Sequence, residues 1–99
     1  MTDVGEQARW LVEGMRKAVE AFEADHLSIN SLVWALTSRI GALGHIADAE
    51  WVEELRSMRN QLEVVNAFFI ESGRTSLNDK ERREVGDTLG ELRAALVAY

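Results

Sequence analysis

An all-α fold, an antiparallel up-down-up-down four-helix bundle, is what this 99-residue sequence predicts. Three observations carry it. Apolar residues recur every three or four positions in four separate stretches, and nowhere do they alternate as in a half-buried strand. Proline is absent from the whole chain, so no ring interrupts a helix. The stretches are joined by short links at residues 25–27, 45–47 and 74–77, and links of that length favour antiparallel neighbours. At this length the four helices share a single domain and one core.

The first helix is predicted over residues 5–24. Val4, Ala8, Leu11, Met15, Ala18 and Phe22 share one face, and Glu6, Arg9, Glu13, Arg16 and Glu20 lie on the other. The second spans residues 29–43, with Ser28 as its N-cap and a seam of Ile29, Leu32, Val33, Leu36, Ile40 and Leu43. Gly44 suits the left-handed position that ends a helix. Arg39 is the only charged residue between Ser28 and Gly44, so this helix should be the most buried of the four, or be covered by a partner.

The third helix is the longest, over residues 49–72, with Asp48 as N-cap and Glu50 adding favourable negative charge in the first turn. Its seam is Trp51, Leu55, Met58, Leu62, Val65 and Phe69, and Gly73 stops it. The fourth covers residues 79–98. Asn78 and Glu81 have capping-box spacing, and Val85, Leu89, Leu92 and Leu96 form the seam. Gly14, Gly41, Gly86 and Gly90 fall inside helices, where each costs about 1 kcal/mol relative to alanine. Gly86 and Gly90 lie one turn apart on one face, which suits close helix packing or a flat dock for a partner's backbone.

Composition narrows the function. Hydrophobic residues make up 46% of the chain and charged residues 28%, the balance of a globular domain rather than a disordered tail. Without cysteine there is no disulfide framework, thiolate metal site or cysteine nucleophile. Eleven basic against 17 acidic residues leave a net charge of -6, which repels a nucleic-acid backbone and suits a basic protein partner. The longest uncharged run, residues 27–38, is too short to span a bilayer. Residues 1–7 carry Asp3 and Glu6 and no apolar core, so no signal peptide is expected and the expected location is cytoplasmic.

No catalytic residue, cofactor or metal is expected. His26 and His45, the two histidines, have no triad pattern around them. Glu23 and His26 have the Glu-x-x-His spacing of di-iron bundles, but Ala42 stands three residues before His45, so the second such motif is missing. Glu50, Glu53 and Glu54 with Glu84 and Asp87 resemble, coarsely, the acidic pairs of MazG-type all-α pyrophosphohydrolases, which hold Mg²⁺. In that family the paired glutamates lead the motif, whereas here they trail. Glu84 and Asp87 also fall opposite the seam of their helix, as on a solvated acidic face.

Two kinds of residue point to a protein partner instead. Asp48, Glu50, Glu53 and Glu54 crowd the start of the third helix, and Glu84, Asp87 and Glu91 share the outer face of the fourth. Trp10 and Trp34 project off their seams among small neighbours. Such a ring either anchors a partner or, for Trp34, fills a gap between the first two helices.

The stretch from Ser28 to Leu96 carries Ser-Ile-Asn-Ser-Leu-Val-Trp-Ala-Leu and Ala-Glu-Trp-Val-Glu-Glu-Leu. It continues with Leu62-Glu63-Val64-Val65-Asn66-Ala67 and then Gly73-Arg74 with Leu77 before the last helix. It resembles small all-α immunity proteins encoded beside bacterial polymorphic toxins, including contact-dependent growth inhibition systems. The resemblance implies a protein that is not an enzyme. It would bind the C-terminal toxin domain, often a nuclease, and occlude its active site. No binding residue carries over, since partner-contacting positions diverge among such proteins. Within the segment, Leu62 and Val65 read as scaffold, and Glu63 is placed to pair with Arg59 one turn earlier. The alternatives are a helical interaction module, such as a homodimer using Trp34 and its small neighbours, and a Mg²⁺-dependent nucleotide pyrophosphohydrolase.

Overall fold

A computed structural model describes residues 4–97, with side chains from Gly5 onward. It holds four helices, α1 (Val4–Glu23), α2 (Ile29–Leu43), α3 (Ala49–Ser72) and α4 (Asp79–Leu96), and no strand among the described residues. The bounds of α2 and α3 are those predicted, and α1 begins and ends one residue earlier. α4 closes at Leu96, and its predicted end at Ala98 lies outside the described residues, as does the side chain of Val4. Each helix packs on its neighbour in the chain and α1 closes the ring against α4, so α1–α3 and α2–α4 are the diagonals of the bundle.

One seam from each helix fills the core. All six seam residues of α2 are buried. Leu55, Met58, Leu62 and Val65 of α3 meet Val85, Leu89, Leu92 and Leu96 of α4, as the periodicity requires. The buried stripe of α1 is shifted from the predicted one: Val12 and Val19 are buried, and Ala18 and Phe22 pack at the edge. A ring position gives α1 neighbours on two sides, so its apolar stripe is wider than one residue per turn.

Trp51 departs from its predicted core place in a similar way. Val52 enters the core and Trp51 is half-buried, its indole Nε1 donating to the Ala95 carbonyl at 2.9 Å. Arg16 Nη2 of α1 donates to the Leu96 carbonyl at 2.7 Å. Two carbonyls in the last turn of α4 thus accept from side chains of α3 and α1. Two polar residues are buried that periodicity did not mark. Asn66 donates through Nδ2 to Asn30 Oδ1 at 3.0 Å, across α2 and α3. The Thr88 hydroxyl lies 3.0 Å from the Glu84 carbonyl and 3.1 Å from Gln61 Oε1.

The helix ends follow local chemistry. Ser28, Asp48 and Asn78 each accept from a backbone N–H of the first turn, and Asn78 with Glu81 completes the capping box. Gly73 is left-handed at φ 69°, as a helix stop requires. Asp25 takes the same conformation at φ 61°, with His26 N–H bonded to Ala21 O and Asp25 N–H to Phe22 O, a Schellman closure built on aspartate.

Gly44 corrects its prediction. Its φ is -58°, right-handed, and the chain runs on in a turn through Ile46. Its small size is used differently, since a Cβ there would press on the Arg56 guanidinium at 3.0 Å. The packing expected of Gly86 and Gly90 is also absent, because both face open space. Close approach occurs at Gly14 instead, where the Arg39 side chain of α2 lies across the α1 backbone and donates to Ala35 O at 3.1 Å. Arg59 does not take up Glu63; its guanidinium turns to Asn60 Oδ1 and to Thr37 Oγ1.

Two measurements test this frame. Leu62 is 1% exposed, so Leu62→Ala should lower the unfolding free energy by about 2–5 kcal/mol in denaturant titration. A loss under about 0.5 kcal/mol would place the seam on the surface. Glu81 accepts from both guanidinium nitrogens of Arg74, at 2.8 and 2.7 Å, and from the Asn78 backbone N–H at 2.9 Å. Those bonds, the Arg74 bonds foremost, hold its carboxyl at about 2, below the ordinary 4.5. The lowered value makes the contribution fully present above 4.5 and lost as pH falls toward about 2. Across that window the wild type should lose thermal stability more steeply than Glu81→Gln, and parallel curves would contradict the assignment.

Candidate functional site

The contact between Thr88 and Gln61 fixes which sides of α3 and α4 border each other. Gln61, Val64 and Val65 of α3 and Glu84, Asp87, Thr88 and Glu91 of α4 line an open groove of about 410 Å³. On α3, Glu54 and Phe68 stand seven residues either side of Gln61 and Glu50 stands eleven before it, all on the same stripe. Glu50 and Glu54 therefore share a side of α3 with Gln61, toward the start of the helix and outside the groove's own lining. Val64 and Phe68, 56% and 65% exposed, add an apolar strip at the end of the groove away from Glu50.

Not every predicted residue is available there. Asp48 is committed to capping, its carboxylate accepting from Trp51 N–H at 3.1 Å. Glu53 turns back to Arg56, with Nη1 to Oε1 at 2.5 Å. Glu84 stands 3.9 Å from Lys80 Nζ, one turn earlier on α4. Glu50, Glu54, Asp87 and Glu91 are exposed and have no ion pair among the described residues. Four unneutralised carboxylates on one side of the bundle make a local negative field, and the field weakens with salt over a screening length of about 8 Å. Val64 and Phe68 were not foreseen as site residues. Their signal was two apolar residues one turn apart on the side of α3 away from its seam.

The tryptophans lie elsewhere. Trp10 is 75% exposed beside a shallow recess shared with Leu11, Ala42 and Ile46, between α1 and α2. Trp34 is 68% exposed, which overturns the reading that it fills a gap between α1 and α2. The space under α2 is already filled by Leu32, Leu36 and Leu43, and Trp34 stands opposite that seam.

Another cleft, of about 570 Å³, opens where the C-terminal end of α1 meets α4. Phe22, Leu27, Phe69 and Val85 contribute apolar floor, with Glu23, Asp25 and Arg82 among its rim residues and Gly86 among its lining. Glu23 pairs with Arg93, so the Glu-x-x-His spacing with His26 is not aimed at a shared ligand. Both histidines are exposed in the connections, and no group of three or more His, Asp or Glu side chains converges to hold a metal among the described residues. Among the described residues no helix is long and apolar enough to cross a membrane. The chain matches no family model, no curated protein and no solved structure.

Proposed function

We propose that this chain is a non-enzymatic immunity protein that binds a basic toxin domain through the α3–α4 groove and occludes the toxin's active site. The observation that supports it is the groove itself. Glu84, Asp87 and Glu91 of α4 line it, the last two without an ion pair among the described residues, and the exposed apolar side chains of Val64 and Phe68 stand on its α3 side. That combination suits a basic protein surface: charges speed the encounter and an apolar anchor slows departure. A nuclease active site is a surface of the required sign, because it is built to hold a polyanion. The acidic groove takes the place of the nucleic-acid backbone there. The proposed location is the cytoplasm of the toxin-producing cell, where self-protection is needed.

The proposal expects a toxin domain encoded beside this chain's gene, and the test follows association and dissociation with that domain separately across salt. Reversing Glu54, Asp87 and Glu91 together to lysine should slow association at least about tenfold at low salt and leave helicity intact. Phe68→Ala should act mainly on dissociation. Wild-type binding rates in both variants, or a toxin left active by excess wild-type protein, would refute the proposal.

A further inference from the structure

The cleft beside the C-terminal end of α1 lies on the flank of α4 away from the acidic groove. Phe22, Leu27, Phe69 and Leu77 form its floor, each half-buried, from α1, the α1–α2 connection, α3 and the α3–α4 connection. Its volume of about 570 Å³ falls in the roughly 300–1,000 Å³ range of small-molecule sites. Val85 and Leu89, both 2% exposed, close the core beneath it, so an occupant would rest on a finished core.

One wall of the cleft is bare backbone. Gly86 lies in the second turn of α4 and lines the cleft, and a Cβ there would have nothing within 4 Å. Glycine weakens a helix interior relative to alanine, and no close packing at Gly86 offsets that loss. Gly41 and Gly90 are as open but lie outside the cleft. Within it, the missing side chain leaves room for an occupant against the α4 backbone.

The rim sets the charge of that occupant. Glu23, Asp25 and Arg82 are its charged side chains. Glu23 is taken by Arg93, and Arg74, 6.0 Å from the Phe69 ring centroid, is taken by Glu81. Arg82 has no ion pair among the described residues. Thr75 and Ser76, in the connection that leads into α4, add hydroxyls to the lining. A planar guanidinium with two hydroxyls is a donor set for a carboxylate. Asp25, on the α1–α2 connection, is the one unpaired charge that opposes it.

We propose that this cleft binds a small apolar carboxylate, its hydrocarbon body on the Phe22 and Phe69 floor against Gly86 and its carboxylate held by Arg82. The inference does not depend on the toxin-binding reading, and either can fail alone.

Titration of naphthoate into the ¹⁵N-labelled chain tests it, with circular dichroism confirming that each variant is folded. The amides of Phe22, Leu27, Phe69 and Gly86 should shift saturably. Arg82→Gln should raise the Kd at least about fivefold, through loss of a charge-assisted hydrogen bond. Asp25→Asn suits the left-handed turn and should lower the Kd by removing the opposing charge. Naphthylmethylamine, a cation of similar shape, should bind the wild type at least about fivefold more weakly than naphthoate. Gly86→Leu should abolish binding while raising the thermal midpoint by about 4 °C, because the helix gains what glycine cost it. Absence of saturable shifts would overturn the proposal, as would tighter binding of the amine or unchanged affinity in Arg82→Gln. So would a Gly86→Leu chain that binds as the wild type does or is less stable than it.

Discussion

The bundle depends on one constraint: each helix must bury an apolar stripe, and the four stripes must meet in one core. Burying a leucine or valine contributes about 1.5–3 kcal/mol, far more than an exposed ion pair. α2 meets this constraint most strictly. Ile29, Leu32, Val33, Leu36, Ile40 and Leu43 are all buried, between α1 on one side and α3 on the other. The rest of the helix carries one charge, Arg39, and most of the charge of the chain lies on α1, α3 and α4. The polar contacts act as registers on that core. Asn30 with Asn66 fixes α2 against α3, Gln61 with Thr88 fixes α3 against α4, and Arg16 with the Leu96 carbonyl ties α1 to the end of α4.

Much of the fold was legible because it rests on local signals that α-helices display in sequence. Ser28, Asp48, Asn78 and Gly73 marked their boundaries by side-chain or backbone chemistry confined to one turn. What was not legible depended on neighbours. Gly44 is right-handed because the chain continues in a turn beside Arg56, which no local rule foretells. Asp25 closes α1 in a left-handed conformation more often held by glycine or asparagine, so aspartate did not announce it. Asn66 stands outside the predicted seam of α3, and its burial goes with a partner, Asn30, on α2.

The surface was less legible than the core, for the same reason. Projection correctly separated Trp10 and Trp34 from their seams, yet whether a ring off the seam is covered depends on where the next helix lies. The acidic residues were found by composition, but their placement comes from the tertiary pairing of α3 with α4. That pairing puts Asp87 and Glu91 on the groove and leaves Glu50 and Glu54 nearer the start of α3, while a cap and an ion pair local to α3 engage Asp48 and Glu53. The functional reading therefore rests on a side of the bundle rather than on a motif. Negative charge and apolar exposure coincide on α3–α4, and the exposed outer face of α2 carries no charged residue of its own.

The most direct measurement of that account is an amide chemical-shift map of the ¹⁵N-labelled chain titrated with the toxin domain. The account predicts the largest shifts at Gln61, Val64, Phe68, Asp87 and Glu91, with the amides on the outer face of α2 changing little. Shifts centred on Trp10 and Trp34, or none anywhere at saturating toxin, would contradict it.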